Sequence, residues 1–237
     1  MIVEARGRPQ IVGRKSSPTD VVTETDLLAE SVIKRLLAEM TPEAGVLGEE
    51  SASTGRSERL QWIIDPLDGT VNFSYGVPEF AVSIAAALDG EVVAGAVIDV
   101  VLDELFSAHL GGGARQDGAP ISVSGCTWLP DALVATGFSY HAHERALQGD
   151  VAAQIVARAR DLRCFGSTAL ELCWVACSRL DAYFQRGTAL WDLAAGALIA
   201  AEAGARIELP CPENEDLVLA ATPEVFDQLR AAVQPAA

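Results

Sequence analysis

The chain has 237 residues, enough for one large domain or two small ones and for a sizeable apolar core. Hydrophobic residues make up 50% and charged residues 21%, which excludes global disorder. Acids outnumber bases 33 to 17, and a net charge of -16 argues against nucleic-acid and membrane partners while leaving small anions open where a bound cation reverses the local field.

Residues 1–22 combine Arg6, Arg8, Arg14 and Lys15 with Gly and Pro, and are predicted to be extended and partly mobile. The start, Met1 to Arg6, lacks the apolar run of a signal peptide, and stretches such as Leu193 to Ala201 are too short to span a bilayer. Five cysteines, an odd count without framework spacing, argue against a disulfide scaffold, so a soluble cytoplasmic protein is expected. Leu28, Val32, Leu36 and Met40 recur along a predicted helix from Thr23 to Met40, with Thr23 and Asp26 as its capping pair. Residues 51–59 read as a polar loop. Leu60 to Ile64 is predicted to be a buried strand ending at Asp65-Pro66. Phe80 to Leu88 and Val92 to Ile98 flank Asp89-Gly90 and predict a hairpin, followed by a strand at Leu105 to Ala108 and a second Asp-Gly turn at Asp117-Gly118.

The second half predicts a helix from His143 to Leu162, and another opened by a Thr168–Glu171 capping box and running to Arg179. A strand at Asp181 to Gln185, an Ala-rich helix from Trp191 to Ala203 closed by Gly204, a strand at Val218 to Ala221 and a helix from Pro223 to Val233 complete the chain, with Gln234 to Ala237 frayed. The picture is strands with helices on their faces, in two halves, 1–120 and 121–237, that meet near residues 115–130.

From Leu60 to Ala114 there is no Lys or Arg, but there are eight acids. Asp89, Asp99, Asp103 and Glu104 read as solvated turn residues. Asp65 and Asp68 differ, because Asp65 ends a buried strand, where unpaired carboxylates are costly unless a cation answers them. Gly69 and Thr70 then offer backbone N–H groups to an anion. Carboxylates for a cation beside amides for an anion suit metal-assisted phosphoryl chemistry, although the spacing alone also fits an ordinary Asp/Gly turn. No Cys or His spacing suits zinc, and oxygen-only ligands point to Mg²⁺ or Mn²⁺. Cys173 and Cys177 read as core residues, and His141 and His143 as surface residues.

Five segments together carry a resemblance: Lys15–Asp20, Thr23–Asp26, Gly48–Ser51, Trp62–Phe73 (WIIDPLDGTVNF) and Leu190–Gly196 (LWDLAAG). In this order they resemble the inositol monophosphatase family, from Lys15 to about Leu229, and Arg179–Gly187 adds to the likeness. The resemblance implies a mixed α+β fold, a layered αβαβα sandwich of the inositol monophosphatase and fructose-1,6-bisphosphatase type. It also implies a lithium-sensitive homodimer that hydrolyses inositol-1-phosphate with a metal-activated water and two to three Mg²⁺ per site. Glu49, Asp65, Asp68, Asp192 and the Leu67 carbonyl would hold metal. Asp26, Thr70 and Glu50 would serve the attacking water. Asp68, Gly69, Thr70, Thr168 and Gln185 would bind the phosphomonoester substrate. Many inositol-directed members carry a carboxylate where this chain has Gln185, and the family normally has a further helix ahead of Lys15. Histidinol phosphate, a sugar bisphosphate and a nucleotide 3′-phosphate are alternative substrates, and a regulatory binding protein is the alternative of another class.

Overall fold

A computed structural model describes residues 2–5, 10–51, 57–214 and 216–234. Arg6, Arg8, most of the 51–59 stretch and the last three residues lie outside that set, and with them the parts of those expectations that concern them. In chain order the elements are α1 (Ile2–Ala5), β1 (Ile11–Arg14), β2 (Val21–Thr23), α2 (Glu24–Met40), β3 (Ala44–Gly48), β4 (Ser57–Asp68), α3 (Thr70–Tyr75), β5 (Ala81–Leu88), β6 (Glu91–Asp99) and β7 (Glu104–His109). There follow β8 (Ala114–Gln116), β9 (Ala119–Pro120), β10 (Leu133–Thr136), α4 (Ala142–Val156), β11 (Asp161–Arg163), α5 (Thr168–Ala176), β12 (Ala182–Arg186), α6 (Leu190–Glu202), β13 (Arg206–Glu208), β14 (Leu217–Ala221) and α7 (Pro223–Val233).

Strands β3 to β9 form a seven-stranded sheet in sequence order, and a five-stranded sheet runs β11-β10-β12-β14-β13. α2 covers one face of the larger sheet, and α5 and α6 fill the space between the sheets. α4 and α7 close the outer face of the smaller sheet. The fold is thus a mixed α+β, layered αβαβα sandwich. Its main core is the middle layer, where Leu170, Leu172, Leu193 and Ile199 meet Val97 and Phe106 from one sheet and Tyr183 and Val218 from the other. Among the described residues no helix is long and apolar enough to cross a membrane.

The hairpin forms as patterned, with Asp89 and Gly90 at φ 52° and 87°, the left-handed pair that a tight antiparallel turn needs. Elsewhere the structure corrects the sequence reading. The 1–22 region is not simply extended, since β1 and β2 pair antiparallel ahead of α2. α2 presents Ala29, Ile33 and Leu37 inward, against Val46 and Ile64. The line Leu28, Leu36 and Met40 faces outward, because the inward stripe lies one residue further along the helix. The helix predicted from His143 to Leu162 ends at Val156, and Leu162 instead belongs to β11, paired with β10. Asp99 is buried, accepting the N–H groups of Val101 and Leu102 at 2.9 Å each, rather than solvated.

Candidate active site

β4 pairs with β5 so that Asp65 faces Ser83 and Asp68 faces Ala81, three steps on one strand against two on the other. Three steps along a regular strand would send the two carboxylates to opposite faces. The extra residue at this bulge turns both to the same side, with Pro66 where no ladder donor is needed. Asp65 then takes the Leu67 N–H at 2.9 Å. β4 passes into α3 through Gly69, where φ is +91° and an added Cβ would stand 2.8 Å from the Glu79 carbonyl. α3 starts on the next residue.

A cavity of about 560 Å³ opens over this bulge. Nine of the predicted site residues line it: Glu49, Asp65, Leu67, Asp68, Gly69, Thr70, Thr168, Gln185 and Asp192. Asp26 lies beneath it, fully buried. One Asp26 oxygen accepts the Thr23 amide at 2.9 Å and the Thr23 hydroxyl, and the other accepts the Thr70 hydroxyl at 2.9 Å. The Leu67 carbonyl is a second acceptor for Thr70, at 3.0 Å. A capping acid thereby also steers a cavity hydroxyl. Glu50 is not on the lining; it faces Lys15, whose Nζ sits 2.5 Å from Glu50 and 2.6 Å from Glu49.

The second half of the chain supplies the opposite wall. Asp192, in the first turn of α6, accepts the Ala189 N–H at 3.0 Å. Asp68 accepts the Ser167 hydroxyl at 2.6 Å and the Ala169 N–H at 2.7 Å, so the α5 N-terminus holds a carboxylate from the other sheet. The cap of α5 is Ser167 rather than Thr168, and Glu171 accepts the Phe165 N–H instead of closing a box. Thr168 is hydrogen-bonded to the Tyr183 hydroxyl at 3.0 Å, which itself donates to Gln185 at 2.7 Å. The sequence reading assigned no site role to Lys15, Ser167 or Asn72, whose amide ties Glu79 to Phe165 at 2.8 and 2.6 Å, nor to His141, which lines the cavity. Lys15 and Asn72 stand in the segments that carry the resemblance and were readable there; His141 left no local signal.

The electrostatics explain the need for a cation. Burial, then Glu49, Asp68 and Asp192, push Asp65 well above the usual carboxylate range. Burial, then Asp68 and Glu49, do the same to Asp192. Burial lifts Asp68 to about 6 against the opposing hydrogen bonds from Ser167 and Ala169. Burial lifts Glu50 to about 7 despite Lys15, with Glu49 adding to the rise. Burial opposes the charge of Lys15, but Glu49 and Glu50 outweigh it and raise that group too. Among the described residues no three Asp, Glu, His or Cys side chains already stand as a ready metal-holding group. Lys15 supplies the positive charge on Glu49. The predicted donors, four carboxylates and the Leu67 carbonyl, fit a hard divalent cation that draws them together, and His141 and Cys164 line the same cavity beside them.

The profile of the inositol monophosphatase family matches residues 1–235. The chain belongs to this family. Among relatives of this inositol monophosphatase-family chain, an inositol-1-monophosphatase of Mycobacterium bovis is 46% identical over 235 residues, 94% of this chain and 81% of the relative. A Nus factor SuhB of Vibrio cholerae is 42% identical over 189 residues, 78% of this chain and 70% of the relative. The extragenic suppressor protein suhB of Bartonella henselae superposes with a TM-score of 0.93 at 32% identity, covering 100% of this chain and 93% of that structure. Phosphatase activity and metal dependence follow at the level of the family.

Proposed function

We propose that this chain hydrolyses inositol-1-phosphate to inositol and phosphate, with Mg²⁺ held by Glu49, Asp65, Asp68, Asp192 and the Leu67 carbonyl. The observation that carries this reading is the gathering of these groups in one cavity with the buried Thr70–Asp26 pair. When bound, two to three Mg²⁺ would neutralise the phosphate and leaving alkoxide and acidify the attacking water. Thr70 accepts the water's proton as its own passes toward Asp26, which Thr23 keeps in place. Glu50, lifted to about 7, assists as a proton acceptor through solvent. The Gly69 and Thr70 amides orient the phosphate. Asp68, Thr168 and Gln185 receive the alcohol's hydroxyls, Gln185 being fixed by Tyr183. In this reading residues 1–120 and 121–237 are the two halves around the site, and the working protein is a cytoplasmic, lithium-sensitive homodimer.

Phosphate release from a panel of phosphomonoesters, with Mg²⁺ and with chelator, tests this reading. Release from inositol-1-phosphate that stops on chelation is expected, and full turnover in excess chelator would sink the metal assignment. The Vibrio relative's name favours one other reading, a regulatory binding protein. Recovery of polymerase subunits in a pull-down, with no turnover of any ester, would decide for it.

A further inference from the structure

Beside the catalytic cavity lies a second one of about 600 Å³ that none of the roles above accounts for. Leu147 and Val151 of α4, Phe184 of β12 and Val233 of α7 give it an apolar floor. Its charged groups are Glu144, Asp150, Asp216 and Arg186, three acids to one base. Arg186 donates through Nη1 to the Asn214 carbonyl at 2.7 Å.

The strand pleat makes the two cavities neighbours. Alternate residues of a strand point to opposite faces. Tyr183 accordingly packs into the middle layer and Phe184 into the outer one. Gln185 lines both cavities, as do Gly137, Glu144 and Gly187. A Cβ on Gly137 would stand 1.8 Å from Gln185 Oε1, so the glycine backbone and that amide meet closely where both cavities are lined.

We propose that this groove receives the far end of the leaving alcohol, and that the enzyme accepts, beside compact polyols, phosphomonoesters whose alcohol is extended, apolar along its length and amine-tipped. The proposal rests on the phosphatase reading above and adds a substrate class to it. The apolar floor takes methylene groups out of water. The acidic rim attracts an ammonium and repels a second anion. The chemistry is unchanged: the water oxygen bonds to phosphorus, the ester P–O bond breaks, and the water's proton ends on the departing alcohol.

The test measures kcat/KM of the full chain with Mg²⁺ on inositol-1-phosphate, propyl phosphate, hexyl phosphate, 6-aminohexyl phosphate and 5-carboxypentyl phosphate. The four alkyl esters share one kind of scissile bond, so differences among them report the distal end. The expected order is aminohexyl above hexyl above carboxypentyl, with about tenfold between first and last. Val151→Trp, which fills the groove, is expected to lower the aminohexyl-to-propyl ratio about fivefold, mostly through KM. Asp150→Lys, a solvent-exposed change that leaves the floor intact, is expected to reverse the preference for amine over carboxylate. Equal kcat/KM for the long esters, or ratios that neither variant moves, overturn the groove while turnover of propyl or inositol phosphate keeps the phosphatase reading. No release from any ester at saturating Mg²⁺ overturns both.

Discussion

Each carboxylate in the cavity is held by a neutral donor or by Lys15, so its role can be separated from its contribution to folding. Asp65→Asn and Asp192→Asn are expected to lower kcat at saturating Mg²⁺ by about a hundredfold or more while circular dichroism stays native. Both variants should melt higher than the parent in chelator, because the buried acids around them repel one another. The same repulsion sets a pH dependence. Asp68 and Glu50 titrate near 6 and 7 in the folded chain, above their unfolded values, so the folded state binds more protons between roughly pH 4 and 7. The metal-free protein should therefore melt higher as pH falls through that window, and Mg²⁺ should flatten the trend; a melting temperature that drops from pH 7 to 5 would contradict the sign. Gln185 accepts from Tyr183, which leaves its amide N–H groups for the substrate. Gln185→Glu is expected to raise kcat/KM for inositol-1-phosphate relative to bisphosphates by about fivefold or more, and an unchanged ranking would remove Gln185 from the substrate site. Asp65 and Asp68 were legible in the sequence as a pair because the base-free apolar run Leu60–Ile64 leads into them, although the strand does not end at Asp65-Pro66 as predicted but continues to Asp68. The bulge that turns them to one side was not, since register is a property of two strands. Ser167 was masked by Thr168, whose spacing to Glu171 imitates a capping box.

The elements that pattern alone found are those with a complete local signature. Pro223 starts α7 at its first position, and Asp89-Gly90 dictates the turn between β5 and β6. β3, β10 and β11 escaped because they are three to five residues long and are defined by parallel partners distant in sequence. α2 was found, but the recurrence did not say which face turns inward, since both Leu36 and Leu37 are apolar and only the sheet beneath decides between them. That distinction is measurable. Leu37→Ala is expected to cost about 2–5 kcal/mol in denaturant unfolding, and Leu36→Ala at 48% exposure less than about 0.5. Equal losses would place both on the core. α5 carries a double duty at its start, where Ser167 accepts from Leu170 and donates to Asp68. Ser167→Ala should cost about 1–2 kcal/mol of stability.

Over the whole molecule, α6 is the piece that packs against both sheets. It follows β12 of the smaller sheet in sequence, packs on β4 to β8 of the larger one, and carries Asp192 in its first turn. Its seat is close: a Cβ on Gly95 of β6 would lie 2.9 Å from the Ala195 Cα, backbone that cannot yield without the helix moving. Gly95→Val is expected to destabilise the fold by about 1–3 kcal/mol and to weaken Mg²⁺ binding in calorimetry, although residue 95 touches no ligand. Asp68 makes a tie of the same kind, reaching Ser167 and Ala169 at separations of 99 and 101 residues. A cation that gathers Asp65, Asp68 and Asp192 would thus pin β4, the start of α5 and the start of α6 in a single event. Its arrival should be audible well away from the cavity, as slower amide hydrogen exchange at Ala169 and Leu170 and along β4, three segments of chain opening as one cooperative unit or not at all.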